Sequence, residues 1–389
     1  MSHAFHVADA IPLPDPSALI TGRAAREDAY PIAVCRTFEA TMTRVVEWVE
    51  ASQVAVLTDD VVDALFGATL VRALRDAGKE PLVRVLPAGE RSKSLEEAVT
   101  AWNWLADSDI ARRDVLIAFG GGVVADLGGW VASGYMRGIP YVNVPTTLLA
   151  QVDGALGGKV AANHPAAKNL LGAFHSPLGV AANVGFLRTI SGRHLRAGLA
   201  ESIKKAVIAS PAYWRFIVDH AEALLARDLD ALECLVRSAA AIKTALIERD
   251  PYERDLRRPL NFGHTIGHPL ETVTGYGPLL HGEAVAFGMV VESRIAAARG
   301  LLDEGTLGEL IALLRRCRLP TSATDLLADV DGDAVIRAME KVRQIRAGSL
   351  RFVLPVAIGE TVIADDVEEA EVREALAACG VSLALMESR

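Results

Sequence analysis

"DVLIAFGGGVVADLGG", residues 114–129, decides the fold. Its apolar start reads as a buried strand, its glycines as a turn, and the residues after them as the opening of a helix. Strand, turn and helix in this order belong to a parallel sheet with crossover helices. A turn of this kind is also where an open α/β sheet receives phosphate. Glycine lets the backbone approach, and the helix N-terminus offers N–H donors and a positive dipole. The stretch is not G-x-G-x-x-G, so the dinucleotide fingerprint is absent. On these residues alone a plain glycine-rich turn and a nucleotide site are equally good readings.

The flanking sequence extends the pattern. "QVAVLTDD" (53–60), "PLVRVLPAG" (81–89) and "PYVNVPTT" (140–147) read as further buried strands, with helical periodicity over 61–78 and 94–107. A strand is expected near 31–38, after an irregular, proline-containing lead-in over 1–30. From about residue 186 strands give way to helices, over 193–209, 212–226, 229–249, 281–300, 304–316 and 332–345. Residues 350–364 read as a late hairpin. The expectation is an N-terminal α/β domain over 1–185 and a mainly helical domain over 186–389, a division that 389 residues readily support.

Polar residues collect at the predicted strand ends. Glu90 and Lys93 follow one strand and suit a ribose and a phosphate; Thr146 and Thr147 end another, ahead of Asp153, Lys159, Lys168 and Asn169. Such clustering marks the crevice in which open α/β sheets bind ligands. Solvated loop charge would explain Lys168 alone but not the group.

"NFGHTIGHPLETVTGYGPLLHGEAVAFG" (261–288) carries His264, His268 and His281. The first two are four apart, a spacing that lets two imidazoles share a metal on one helical face. Pro269 complicates this, because proline belongs in a helix's first turn. A helix containing it is expected to start at 266–268, leaving His264 on the approach. "RAGLAESIKKAVI" (196–208) places Glu201 among small apolar residues with Lys204 and Lys205 one turn later. A buried glutamate needs a partner, and a metal is one. The competing reading makes each histidine a hydrogen-bonded core residue.

Composition bounds the rest. The chain is 51% apolar with a net charge of −9, which argues against a nucleic-acid binder but not against a local basic pocket. Cys35, Cys234, Cys317 and Cys379 form no C-x-x-C pair, so neither a zinc ribbon nor a disulfide framework is expected, and a reducing cytoplasm is. The opening residues lack the pattern of a signal peptide. Apolar segments such as 279–291 are interrupted by His281 and Glu283, so no membrane span is expected.

"GGGVVADLGG", "YMRG", "VPTTLLAQVDGALGGK", "KNLLGAF", "GLAESIKKAVI", "LNFGHTIGH" and "LHGEAVAFGM", in this order, resemble the sugar-phosphate cyclases, the superfamily of 3-dehydroquinate synthase. The resemblance runs from about residue 50 to 365. It implies an NAD-binding α/β domain, a helical metal- and substrate-binding domain, and an active site between them. By matching position, Glu201, His264 and His281 hold zinc or cobalt, and His268 serves the substrate phosphate and proton transfer. NAD contacts fall on Glu90, Lys93, Gly121, Gly122, Asp126, Thr146 and Thr147, with Lys168 beside them. Substrate and catalytic positions fall on Asp153, Lys159, Asn169, Lys204, Lys243, Glu253, Arg257, Asn261 and His268. In a family homodimer, Arg137 reaches into the neighbouring active site. The implied course is transient oxidation of a ring hydroxyl by NAD, elimination of phosphate, return of the hydride, ring opening and an internal aldol closure.

The residues divide over the substrate. Lys243 and Arg257 match a carboxylate-binding pair, which favours the keto-acid phosphate of 3-dehydroquinate synthase. The second histidine of "GHTIGH" argues against the 2-epi-5-epi-valiolone branch. Against the keto acid, Val342-Arg343-Gln344 stands where dehydroquinate synthases carry Asp-Lys-Lys, and 249–264 resembles cyclases of sedoheptulose 7-phosphate in cyclitol biosynthesis. The expectation is therefore a sedoheptulose 7-phosphate cyclase of the 2-epi-valiolone type, a phosphate-eliminating lyase, with dehydroquinate synthase second. A metal-dependent alcohol or glycerol dehydrogenase would share the domain plan but need no phosphate cradle. A non-catalytic homologue should have lost a metal or substrate position.

Overall fold

The computed structural model describes residues 29–164, 167–250, 252, 258–275, 277–345 and 350–384. Ten strands lie among them: β1 Ile32–Cys35, β2 Gln53–Asp59, β3 Glu80–Leu86, β4 Val115–Gly120, β5 Tyr141–Pro145, β6 Lys159–His164, β7 Ala167–Phe174, β8 Gly179–Asn183, β9 Phe352–Ala357 and β10 Glu360–Ala364. Six form one parallel sheet in the order β1-β8-β5-β4-β2-β3. Helices α1 (Phe38–Trp48), α2 (Asp60–Val62), α3 (Ala68–Asp76), α4 (Leu95–Asp107) and α5 (Gly122–Gly134) belong to this part.

The continuous apolar run of β4 follows from burial on both faces. Leu116 and Ala118 join a core with Leu127 and Val131 of α5. Val115, Ile117 and Phe119 join another with Leu70 and Leu74 of α3. Strand order reverses between β2 and β4, and the glycine turn at the end of β4 sits at that switch point, where a doubly wound sheet opens a crevice.

The remainder is mostly helical: α6 (Gly192–Ala209), α7 (Pro211–Leu225), α8 (Leu229–Arg249), α9 (His264–Val273), α10 (His281–Ala298), α11 (Glu304–Arg316), α12 (Gly332–Ile345) and α13 (Glu369–Ala378). α10 is the central element, buried without interruption from Gly282 to Ser293 and packed on α6, α9, α11 and α13. Two glycines permit its close contacts. A Cβ on Gly282 would stand 1.9 Å from the Ala197 carbonyl oxygen, and one on Gly288 would stand 2.0 Å from that of Gly263. α6 and α9 thus approach α10 at backbone distance. Among the described residues no helix is long and apolar enough to cross a membrane.

Several expectations are corrected. α9 begins at His264, not at 266–268, with Pro269 inside it as the sixth residue. The stretch after Asp153, for which no strand is expected, holds the antiparallel β6–β7 hairpin. The helix expected over 61–78 is broken by a π-helical turn at Asp63–Gly67. The first strand ends at Cys35 and leads into α1, and β8 completes the sheet; neither α1 nor β8 is expected from the sequence pattern. Glu253 and Arg257 lie outside the described residues, as do the side chains of Val342, Arg343 and Gln344.

Candidate active site

Most helices here carry their own N-terminal cap. Thr37, Ser94, Ser191, Ser210, Asp228 and Asp303 each accept a hydrogen bond from an N–H in the first turn of α1, α4, α6, α7, α8 and α11. α5, α9 and α10 instead start after Gly121, Gly263 and Leu280, whose side chains cap nothing. These three starts border the site.

His264 and His281 are the first residues of α9 and α10. Their Nε2 atoms lie 3.7 and 3.5 Å from Oε1 of Glu201, on the fully buried middle of α6. Their Nδ1 atoms are engaged elsewhere, with the Phe262 carbonyl at 3.0 Å and with Glu271 Oε2 at 3.1 Å. Each imidazole thus donates from Nδ1 and turns Nε2 to the same point, the arrangement that metal-binding histidines use. Neither Glu201 oxygen makes a hydrogen bond of good geometry, although Lys204 Nζ stands 2.5 Å from Oε2 as an ion pair. A buried carboxylate without a hydrogen-bond partner, facing two Nε2 atoms, fits a divalent metal.

The electrostatics agree with a ligand set. Burial alone would raise the Glu201 carboxyl; Lys204, His281 and His264 outweigh it and hold it well below the usual carboxylate range. Burial, with Lys204 nearby, holds His264 well below the usual imidazole range. Burial opposes charge on His281 too, but Glu271 and Glu201 raise it to about 9. Loading a metal must therefore displace a proton from His281.

His268 is close as well. The three histidines can bring one ring nitrogen each within 4.8 Å of one another, with His268 ring centroids 5.0 and 5.7 Å from those of His264 and His281. Proximity alone does not separate two ligands from three.

Beside the metal pocket, Asp153 gathers cations. Its Oδ1 lies 2.7 Å from Lys205 Nζ and 3.1 Å from Lys243 Nζ, and Lys243 also donates to the Asp153 carbonyl at 2.7 Å. Burial would raise the Asp153 carboxyl; Lys205, Lys243 and Lys204 reverse this and hold it well below its usual value. Burial pushes Lys243 down to about 8. These buried lysines concentrate positive charge beside Asp153 and Glu201 in an overall acidic chain.

At the glycine turn, Lys93 pairs with Asp126 of α5 and with Asn169 of the hairpin. Glu90 accepts from Asn163 at 2.8 Å and pairs with Lys168 at 3.5 Å. Thr146 is buried next to the turn, and Thr147 Oγ1 accepts from Ala150 N–H at 3.3 Å. Gly121 and Gly122, Glu90, Lys93, Asp126, Asn169 and Lys168 are thus brought together, with the hairpin supplying the last two. Lys168 continues to Glu271 at 3.0 Å, and Glu271 to His281. An unbroken line of side chains links the two ends of the site.

Asn261 ends the short 3-10 turn that precedes His264. Lys159 starts β6 and is exposed. Arg137 is exposed on a turn after α5, in left-handed backbone with φ 66°. Three contributors go unassigned on sequence alone. Glu271 follows His268 by three residues, Lys205 follows Glu201 by four, and Glu292 is a lone acid in an apolar run; only the spacing of the first two gives any signal.

The architecture is that of a doubly wound α/β unit whose open helix start faces a metal-competent helical pocket. Residues 83–197 match the model of the 3-dehydroquinate synthase N-terminal domain, and 198–344 that of the 3-dehydroquinate synthase C-terminal domain. The chain is 51% identical over 372 residues, 96% of its length and 97% of the relative's, to the 2-epi-valiolone synthase of Actinosynnema mirum. It is 39% identical to the 3-dehydroquinate synthase of Desulforamulus reducens, covering 88% of this chain and 95% of that one. Among solved structures it is similar to ValA, the 2-epi-5-epi-valiolone synthase of Streptomyces hygroscopicus with NAD+ and Zn2+ bound. The TM-score is 0.86 at 30% identity, covering 92% of this chain and 99% of that chain. The chain belongs to the 3-dehydroquinate synthase family of sugar-phosphate cyclases.

Proposed function

We propose that this enzyme converts sedoheptulose 7-phosphate into 2-epi-valiolone with loss of phosphate, using NAD and a divalent metal, zinc or cobalt. The reading is carried by a buried Glu201 aimed with two Nε2 atoms at one point, in a chain half identical to a 2-epi-valiolone synthase. The proposal makes it a phosphate-eliminating lyase and a cytoplasmic homodimer in which Arg137 serves the neighbouring active site. It also takes the NAD-binding part to end near residue 185, just beyond β8.

When bound, NAD+ supplies a hydride acceptor that is restored within each turnover, and the metal supplies Lewis acidity at the reacting oxygens. Glu201, His264 and His281 would hold the metal, with Phe262 and Glu271 fixing the two imidazole tautomers. The N–H groups at the start of α5 would hold the pyrophosphate, and Glu90, Lys93, Asp126, Thr146, Thr147 and Lys168 the rest of the nucleotide. Lys204 and Lys243 would orient the anionic sugar, the first held by Glu201 and the second by Asp153. Lys159, Asn169, Asn261 and His268 would stabilise the leaving phosphate as charge develops, with His268 able to carry a proton. Glu253 and Arg257 are proposed substrate contacts by their match to the family.

The second reading is 3-dehydroquinate synthase, favoured by the Lys243 pocket and the 39% identity to such an enzyme. The deciding experiment measures phosphate release with zinc or cobalt and catalytic NAD. Sedoheptulose 7-phosphate and 3-deoxy-arabino-heptulosonate 7-phosphate are offered in parallel. Turnover of the first alone is expected; turnover of the second alone would replace this proposal with the dehydroquinate reading.

A further inference from the structure

We infer that Glu292 is a positioning residue for the metal site, acting on His264 through the start of α9. The inference rests on the metal reading above and adds a residue to it. Glu292 is fully buried in α10, eleven residues after His281 and therefore ~16 Å along the helix. Its Oε2 accepts from the Gly263 N–H at 2.8 Å and its Oε1 from the Thr265 N–H at 3.1 Å. These N–H groups belong to the two residues on either side of His264.

The reason for this arrangement is local. A helix start leaves N–H groups that a Ser, Thr, Asp or Asn cap ordinarily satisfies. At α9 the capping position is Gly263, with φ 78° in the left-handed region. A Cβ there would stand 2.6 Å from the Val285 carbonyl oxygen and 3.1 Å from the Met289 nitrogen. The packing that brings α9 onto α10 thus forbids a capping side chain, and Glu292 supplies the acceptor from the facing helix.

The consequence reaches the metal. His264 Nδ1 donates to the Phe262 carbonyl, so the backbone of residues 262–265 sets the direction of Nε2. Glu292 holds that backbone against α10, the helix whose first residue is His281. Both imidazoles are thereby registered to one rigid element. Losing either hydrogen bond releases the first turn of α9 and lets His264 Nε2 drift from the point shared with Glu201 and His281.

The test uses full-length protein, stripped with chelator and reloaded. Glu292→Gln keeps the volume but turns an N–H donor toward one of the two peptides. Glu292→Asp keeps the carboxylate but shortens its reach, and serves if the first variant does not fold. Zinc affinity is read by competition with a chromophoric chelator, and ligand geometry by the visible bands of the cobalt-loaded protein. The expected result is zinc affinity lower by ~10-fold or more, as for other outer-shell partners, with shifted cobalt bands. Leu313→Ala, buried in α11, controls for destabilisation alone: it should lower the melting temperature and leave both metal readouts unchanged. A folded Glu292 variant with parental zinc affinity and superimposable cobalt bands would overturn the inference while leaving the metal site standing. A parent protein that takes up no zinc would overturn both.

Discussion

The two ends of this site begin helices in opposite ways. At the nucleotide end, α5 starts after Gly121 with no side chain on its first N–H groups. At the metal end, carboxyl oxygens take the corresponding positions: Glu292 at the Gly263 and Thr265 N–H groups of α9, and Glu283 at the Leu280 N–H of α10. Glu283 is itself fixed by Arg193, at 2.6 Å to each of its oxygens. Helices α1, α4, α6, α7, α8 and α11 use their own Ser, Thr or Asp, and α13 repeats the Glu283 arrangement, with Glu371 on the Glu368 N–H and Arg299 on Glu371. A helix start carries partial positive charge, so one left open suits an anion, while at the metal end the first N–H groups are already taken by carboxyl oxygens. Within the site, the bare start lies at the phosphate end and the starts met by carboxyl oxygens lie at the metal end.

Removing the carboxylate between the imidazoles is the severest test. Glu201→Ala should abolish stoichiometric zinc, measured by metal analysis after gel filtration, and reduce turnover by ~10³-fold or more because the Lewis acid is lost. Full metal content in that variant would break the comparison at its metal end. Glu271→Gln should weaken zinc binding by roughly 10–100-fold, since it removes charge from the partner of His281 Nδ1. Gly121→Asp sharpens the other end. It gives α5 the cap it lacks, worth about 1 kcal/mol, against a Cβ contact of 3.2 Å with Thr147 Cγ2. NADH affinity, followed by fluorescence titration, should nonetheless fall ~10-fold because the new carboxylate occupies the anion's place.

The smallest expected effect is one of pH. Burial pushes Glu292 up to about 8, against the pull of the Gly263, Ile266 and Thr265 N–H donors. A carboxyl raised above its ordinary 4.5 contributes stability that is complete below that value and lost as pH climbs to about 8. In metal-free protein, the stability of the parent relative to Glu292→Gln should therefore decline between these limits, as read by urea denaturation at several pH values. A constant difference would contradict it.

How far the sequence reaches can be judged from particular elements. β4 and its glycine turn are legible because a strand buried on both faces leaves an unbroken apolar run. The helices from 193 to 345 are legible from their 3.6-residue period. The β6–β7 hairpin is not, because its strands are rich in small and polar residues and carry no continuous apolar run. The start of α9 is hidden because the rule against interior proline places it too late, and nothing local shows that Glu292 anchors the turn before it. Glu201, His264 and His281 come from family likeness, and the fold brings them together. Glu292 and Glu271 act across helices, and no local pattern connects them to the histidines they serve.

The most direct test of the metal centre compares zinc content in three variants, His264→Ala, His268→Ala and His281→Ala. Two ligands and one substrate-facing histidine predict that the first and third lose stoichiometric zinc, while the second retains it with reduced turnover. Loss of zinc from all three would contradict this and make His268 a ligand, as the convergence of the three rings within one pocket also permits.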